Sequence, residues 1–272
     1  MNWTNTLFVI GCFIGCVLVV WSCWRAIKGS REPDTNSGIY YFGNKAPGAT
    51  VQSTVTNTRG PTEGLVAEYR ATFSQDQLEV FRHMAKAHHA NQFAEAAALV
   101  DKLLPVITDH NSEGYLNLLL IKLDCFLKQN HIEKAECICL EYIQENVSQE
   151  QKVKMLDGAA SYILYHSLSA FSKQAERFAR MGLELAPEKL TLKGTLGGTL
   201  VEQGNFAEGE LLLHDCLHGS KALHDKAISS FYLGIVKMRN GDARGGKRLI
   251  KRAMEMYPEA WLVAKGTALL KG

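Results

Sequence analysis

The residues whose types and spacing invite chemistry are few. His88-His89, Cys137-x-Cys139 and His214-Asp215-Cys216-Leu217-His218 are the candidate metal-ligand clusters. On a helix His214 and His218 share a face, but Cys216 points to another and no third ligand is evident; Cys137 and Cys139 diverge in the same way. Satisfied or solvated side chains are the simpler reading, so neither a metal nor a cofactor is expected. His166 lies near Ser161, Ser167 and Ser169 without an identifiable acid to complete a nucleophilic set. P-loop, GxSxG, HExxH, paired CxxC and dinucleotide-binding fingerprints are missing from the chain. The sequence therefore names no catalytic residue, and the expectation is a protein that is not an enzyme.

Charge gives one local feature. Overall, 30 basic against 28 acidic residues leave a net charge of +2, too near balance to imply nucleic acid as a partner. Between Lys237 and Arg252, however, seven basic residues face one acid, Asp242. The last five, Arg244, Lys247, Arg248, Lys251 and Arg252, fall on one helical face and form a basic stripe, suited to anionic lipid headgroups or an acidic partner. A solvated outer face opposite Leu249, Ile250, Ala253 and Met254 is the alternative, and the preferred one.

The elements that would position such a surface begin with the N-terminus. Leu7 to Trp24 runs 18 residues without a charge, and Trp3 to Trp24 extends this to 22. About 20 residues suffice for a helix to cross a bilayer. Trp3 at one end and Trp21 and Trp24 at the other suit the interfacial zones. MNWTNT lacks the basic start of a cleaved signal peptide, and Ser22-Cys23-Trp24 is a poor cleavage or lipidation site, so a retained transmembrane anchor over residues 1–28 is expected. Arg25, Lys28 and Arg31 follow the span and none precedes it, which puts the N-terminus outside and the body in the cytoplasm. Gly11 and Gly15 form a GxxxG pair for close helix packing, as in a homodimer or a hetero-complex. Residues 29–72, with Pro33, Pro47 and Pro61 and no sustained period, read as a flexible polar tether. Its apolar patch, Ile39-Tyr40-Tyr41-Phe42, is assigned to packing or to the membrane interface.

From Ser74 the chain repeats. Leu196-Gly197, Gly204-Asn205-Phe206 and Gly209 recur as Leu233-Gly234, Gly241-Asp242-Ala243 and Gly246, 37 residues later. This unit resembles the tetratricopeptide repeat (TPR), whose Leu-Gly pair, Gly-Asn/Asp-aromatic turn and closing proline match Leu196-Gly197, Gly204-Asn205-Phe206, and Pro187 with Pro258. Weaker copies follow from small residues after a turn. Ala96, Ala135, Ala175, Gly209 and Gly246 are 39, 40, 34 and 37 residues apart. The resemblance implies an all-α, right-handed α-solenoid of about five helix pairs over 73–272, at 74–108, 112–147, 149–187, 190–220 and 222–258, with a capping helix from Glu259 to Lys271. The first three units depart from the pattern: Pro105 comes early, and the first two lack Leu-Gly. Ser74-x-x-Gln77 and Ser148-x-x-Gln151 fit helix-starting capping boxes. Cys125, Cys137, Cys139 and Cys216 lie in helical apolar patterns, as free thiols in a reducing compartment would.

A TPR-like body implies a groove lined by the first helix of each pair, binding peptide segments or partner helices. Asn117, Asp124, Lys128, Glu202 and Arg239 align to first-helix positions facing that groove. The function expected is a membrane-tethered scaffold or adaptor that presents this groove to protein partners at the cytoplasmic face. The alternative is a non-catalytic regulatory or stabilising subunit of a membrane enzyme or assembly complex, associating through the transmembrane helix.

Overall fold

The computed structural model describes residues 61–271. Among them no helix is long and apolar enough to cross a membrane. The expected anchor, its Gly11 and Gly15, and the tether up to Gly60 lie outside the described residues. All regular elements described are helical. Helix α1 spans Pro61–Thr72, α2 Gln75–His89, α3 Phe93–Leu103, α4 Glu113–Lys128, α5 Ile132–Gln144 and α6 Gln149–Tyr165. They are followed by α7 Ser172–Leu185, α8 Leu190–Glu202, α9 Phe206–Gly219, α10 Leu223–Arg239, α11 Ala243–Met256 and α12 Ala260–Lys271. The chain forms two compact units, one ending at Ala135 and one beginning at Glu136.

Five helix hairpins are joined by one kind of turn. Asn91, Asn130, Ser167, Gly204 and Gly241 have φ of 60, 62, 54, 85 and 93°, one at each joint. At each, the N–H of the next residue reaches back five residues: Gln92 to Ala87, His131 to Phe126, Leu168 to Ile163, Asn205 to Leu200 and Asp242 to Lys237, at 2.8–3.1 Å. This is the Schellman closure, which satisfies carbonyls left open at a helix end and needs a left-handed residue. Asparagine and glycine adopt that conformation at the lowest cost.

The turns recur at spacings of 39, 37, 37 and 37 residues. The uneven spacing of the small residues has a simple origin: a 3₁₀ turn, Ser169–Phe171, inserts three residues before α7. Ala96, Ala135, Ala175, Gly209 and Gly246 are each the fourth residue of a second helix, and all are buried. In the last two hairpins this residue touches the partner backbone. A Cβ on Gly209 would lie 2.9 Å from the Gly197 carbonyl oxygen, and one on Gly246 would collide with that of Gly234.

Helix starts follow the sequence. Ser74 accepts from the Gln77 N–H at 3.3 Å while Gln77 Oε1 accepts from the Ser74 N–H at 2.8 Å, a complete capping box. Ser148 accepts from the Gln151 N–H at 3.3 Å. The expected tether, by contrast, ends before Thr72. Pro61 suits the first turn of a helix, and Leu65 and Tyr69, four residues apart, are buried. Tyr69 stacks on Phe73 with ring centroids 5.2 Å apart and meets Phe81 at 4.7 Å. Its hydroxyl donates to the Gly114 carbonyl at 2.9 Å, and Glu68 Oε1 accepts from the Gly114 N–H at 2.8 Å, fixing α1 to the start of α4.

Close approach makes a direct prediction. Gly246→Ala destabilises the second unit by roughly 1–3 kcal/mol, the usual cost of overpacking. Gly64→Ala, in α1, where an added Cβ meets nothing within 4 Å, is neutral or stabilising by up to about 1 kcal/mol through helix propensity. Urea unfolding of both variants measures the contrast.

Candidate interaction surface

In the unit beginning at Glu136 the first helices of three hairpins are α6, α8 and α10, and α8 carries little charge. The sequence of α8, LTLKGTLGGTLVE, has charged groups only at Lys193 and Glu202. A helix without a polar face is enclosed rather than amphipathic. Residues 155–165 of α6, 194–201 of α8 and 227–234 of α10 are accordingly buried throughout. The three glycines of α8 face different neighbours. Added Cβ atoms would lie 2.9 Å from Cys216 Sγ at Gly194, 2.8 Å from Leu213 at Gly197 and 2.8 Å from the Tyr232 ring at Gly198.

Between α6 and α8 runs a buried polar seam. Thr195 Oγ1 donates to Asp157 Oδ1 at 3.2 Å, Ser161 Oγ lies 3.4 Å from the same oxygen, and the two hydroxyls are 3.2 Å apart. Burial pushes the Asp157 carboxyl above the usual carboxylate range and Asp225 adds to this, against the hydrogen bond from Thr195. At the start of α10, Ser220 Oγ donates to Asp225 Oδ2 at 2.7 Å. The Asp157, Ser161 and Thr195 contacts join α6 to α8.

An aromatic cluster holds the C-terminal helix against the first helices. Trp261 of α12 stacks on Tyr165 of α6, centroids 4.6 Å apart and planes 15° from parallel, and meets Phe231 of α10 edge-on at 6.2 Å. His224 lies edge-on to both Tyr165 and Tyr257, at 5.8 and 5.0 Å. Four residues beyond Trp261, Lys265 places its ammonium 5.5 Å from the Tyr232 centroid and forms an ion pair with Glu202 of α8. The chain's own C-terminal helix thus covers part of the surface that the first helices were expected to offer to a partner.

Of the expected groove residues, Asn117, Asp124 and Lys128 belong to the first unit and Glu202 and Arg239 to the second. Asn117 is buried, its Oδ1 accepting from the Tyr69 hydroxyl at 3.2 Å. Asp124 is buried beside His88, with Nε2 and Oδ2 2.8 Å apart. Neither is available to line a groove, because α1 and α2 supply their polar partners. Lys128 is exposed in the last turn of α4. Glu202 is engaged by Lys265, and the Arg239 guanidinium sits 5.9 Å from the centroid of Phe206, on the second helix of the preceding hairpin.

The basic stripe is where the sequence puts it. Arg244, Arg248, Lys251 and Arg252 are exposed and Lys247 is half-buried, while Gly245, Gly246, Ile250 and Ala253 face inward. Asp242 starts this helix by accepting from the Gly245 N–H at 2.8 Å. Two large apolar side chains, Leu211 at 70% and Leu223 at 61% exposure, also face outward.

The ligand-like clusters do not assemble. His214 and His218 stack at 5.8 Å, and no group of three or more metal-ligating residues occurs among the described residues. Burial raises the thiols of Cys125, Cys139 and Cys216 to about 12, so they pack as small apolar groups. The aromatic cluster and Asp157 were not singled out from sequence. The near-absence of charge from α8 was the available sign that the first helices are enclosed.

No family model and no curated protein matches the chain. Among solved structures, YrrB, a TPR protein with an unusual peptide-binding site, aligns over 76% of this chain and 98% of its own, at 11% identity and a TM-score of 0.40. That score is too low to bear on fold or ligand.

The raised Asp157 carboxyl carries a pH prediction. As pH rises above about 4, the unfolded chain ionises this group before the folded chain does, so folding loses stability until the folded carboxyl also ionises. Asp157→Asn removes that loss. Its unfolding midpoint relative to the parent protein rises between pH 4 and pH 7; a difference independent of pH contradicts the assignment.

Proposed function

We propose that the protein is a membrane-tethered, non-catalytic scaffold that binds protein partners through its tandem helix hairpins at the cytoplasmic face. The observation that carries this reading is the recurrence of one hairpin design, five left-handed turns each followed by a buried small residue at the fourth position of the next helix. Such repeats build extended surface from nearest-neighbour contacts, and surface for recognition is what they supply. The TPR-like character of the repeat rests on Leu196-Gly197 and Leu233-Gly234, with their turns and closing prolines. The 22 uncharged residues from Trp3 to Trp24, with Arg25, Lys28 and Arg31 after them, support the tether and its orientation. Tethering raises the local concentration of partners near the membrane without adding contacts.

Recognition in this proposal uses outward surfaces of the second unit rather than a hollow lined by its first helices. Tyr165, Phe231 and Trp261 already occupy that face. Leu211 and Leu223 are apolar positions left exposed.

Two measurements test the proposal. A topology reporter fused after Gly272 reads cytoplasmic, and crosslinking in intact membranes yields protein adducts on residues 73–272. A body crosslinked to nothing counts against the scaffold. Replacing both Gly11 and Gly15 with isoleucine leaves those adducts in place; their loss supports instead a subunit that associates through its transmembrane helix.

A further inference from the structure

The five cations on the outer face of α11 differ from the charges on the other second helices of this unit. On α7, Arg180 pairs with Glu176 and Glu208 at 2.8 Å, and Arg177 pairs with Glu136. On α9, Asp215 accepts from Lys193 at 3.2 Å, and Glu210 lies 3.9 Å from His214. None of Arg244, Lys247, Arg248, Lys251 and Arg252 is in an ion pair with a carboxylate among the described residues. Asp242 is held by the Gly245 N–H and lies 3.5 Å from Lys237. Glu255, the only acid in α11, forms no ion pair with this row. Lys247 Nζ donates to the Leu270 carbonyl at 3.3 Å, tying the row to the C-terminal helix.

From these observations, and resting on the tethered reading above, we propose that this face of α11 docks on the anionic headgroups of the membrane that holds the anchor. The row runs i, i+3, i+4, i+7, i+8, about 12 Å along the axis. Gly245, Gly246 and Ile250, which lie between these positions in sequence, are buried, and Leu249 is half-buried. A linear row of cations along one helix face, four of the five exposed, matches a planar anionic field better than an acidic peptide, whose recognition needs side-chain pockets or fixed acceptor geometry. The 29 residues from Glu32 to Gly60 can extend to at most about 100 Å, which permits the folded body to return to the leaflet. Each Lys or Arg near such a leaflet raises local partition about fivefold, an effect confined to roughly a Debye length.

The test uses the full-length protein in vesicles of phosphatidylcholine alone and in vesicles containing roughly one-third phosphatidylserine. Modification of Lys251 by an amine-directed reagent is read by mass spectrometry, with exposed Lys128 as the internal reference. Lys251 is expected to react at least about threefold more slowly in the anionic vesicles, and salt at about 0.5 M is expected to restore its reactivity. A variant carrying Arg244→Gln, Arg248→Gln and Arg252→Gln, with unchanged far-ultraviolet circular dichroism, is expected to lose the protection.

Equal reactivity of Lys251 in the two kinds of vesicle overturns the proposal. Protection that appears on native membranes but not on anionic vesicles assigns the row to an acidic protein and also overturns it. Flotation with the neutral vesicles reads the anchor separately, so failure of the docking face is distinguishable from failure of the tether.

Discussion

In the last two hairpins, the distance between helix backbones is set by glycine facing glycine. The carbonyl of Gly197 lies against Gly209, and that of Gly234 against Gly246, with no room for a Cβ on either second-helix residue. Interior glycines each cost a helix up to about 1 kcal/mol in propensity, so their presence must be offset by packing that only close approach allows. The same position holds alanine in the first three hairpins, again fully buried. Once the two helices of a pair are this close, the first helix has its remaining sides free to meet the pairs before and after it. In the second unit α8 does so: an added Cβ at Gly198 would lie 2.8 Å from Tyr232 of α10 and 3.0 Å from Leu164 of α6.

That closeness has a functional consequence. First helices enclosed on several sides need buried polar groups to be matched across helices, as in the Asp157–Ser161–Thr195 seam. They also bring their large aromatics together at the inner face. Tyr165 and Phe231 belong to different hairpins, yet Trp261 touches both. A face that buries its own aromatics has less apolar surface to offer a ligand. What stands exposed in this unit is the cationic row of α11, with Leu211 on α9 and Leu223 at the start of α10.

Local features were the legible part of the sequence. The capping serines at 74 and 148, the repeat period and the small residue in each second helix are encoded by neighbours a few residues apart, and all recur in the structure. The 40- and 34-residue spacings looked irregular only because three residues of 3₁₀ turn at Ser169–Phe171 are invisible to an alignment of small residues. Non-local features were not legible. Asn117 and Asp124 have the look of polar groove residues until Tyr69 and His88, 48 and 36 positions away, are seen to bind them. Helix α1 was read as tether because the stretch that holds it has prolines and no sustained period, whereas Leu65 and Tyr69 are buried and Glu68 and Tyr69 bond Gly114, 46 and 45 positions away.

The claim that most distinguishes this account is that the C-terminal helix packs on the first helices through Trp261. A double-mutant cycle on the full-length protein in detergent micelles, with Tyr165→Ala, Trp261→Ala and the pair, measures that contact by urea unfolding of the second unit. A stacked aromatic pair predicts a coupling of about 0.5–1.5 kcal/mol between the two substitutions. Strict additivity would mean that Trp261 does not rest on Tyr165 and that the inner face is open.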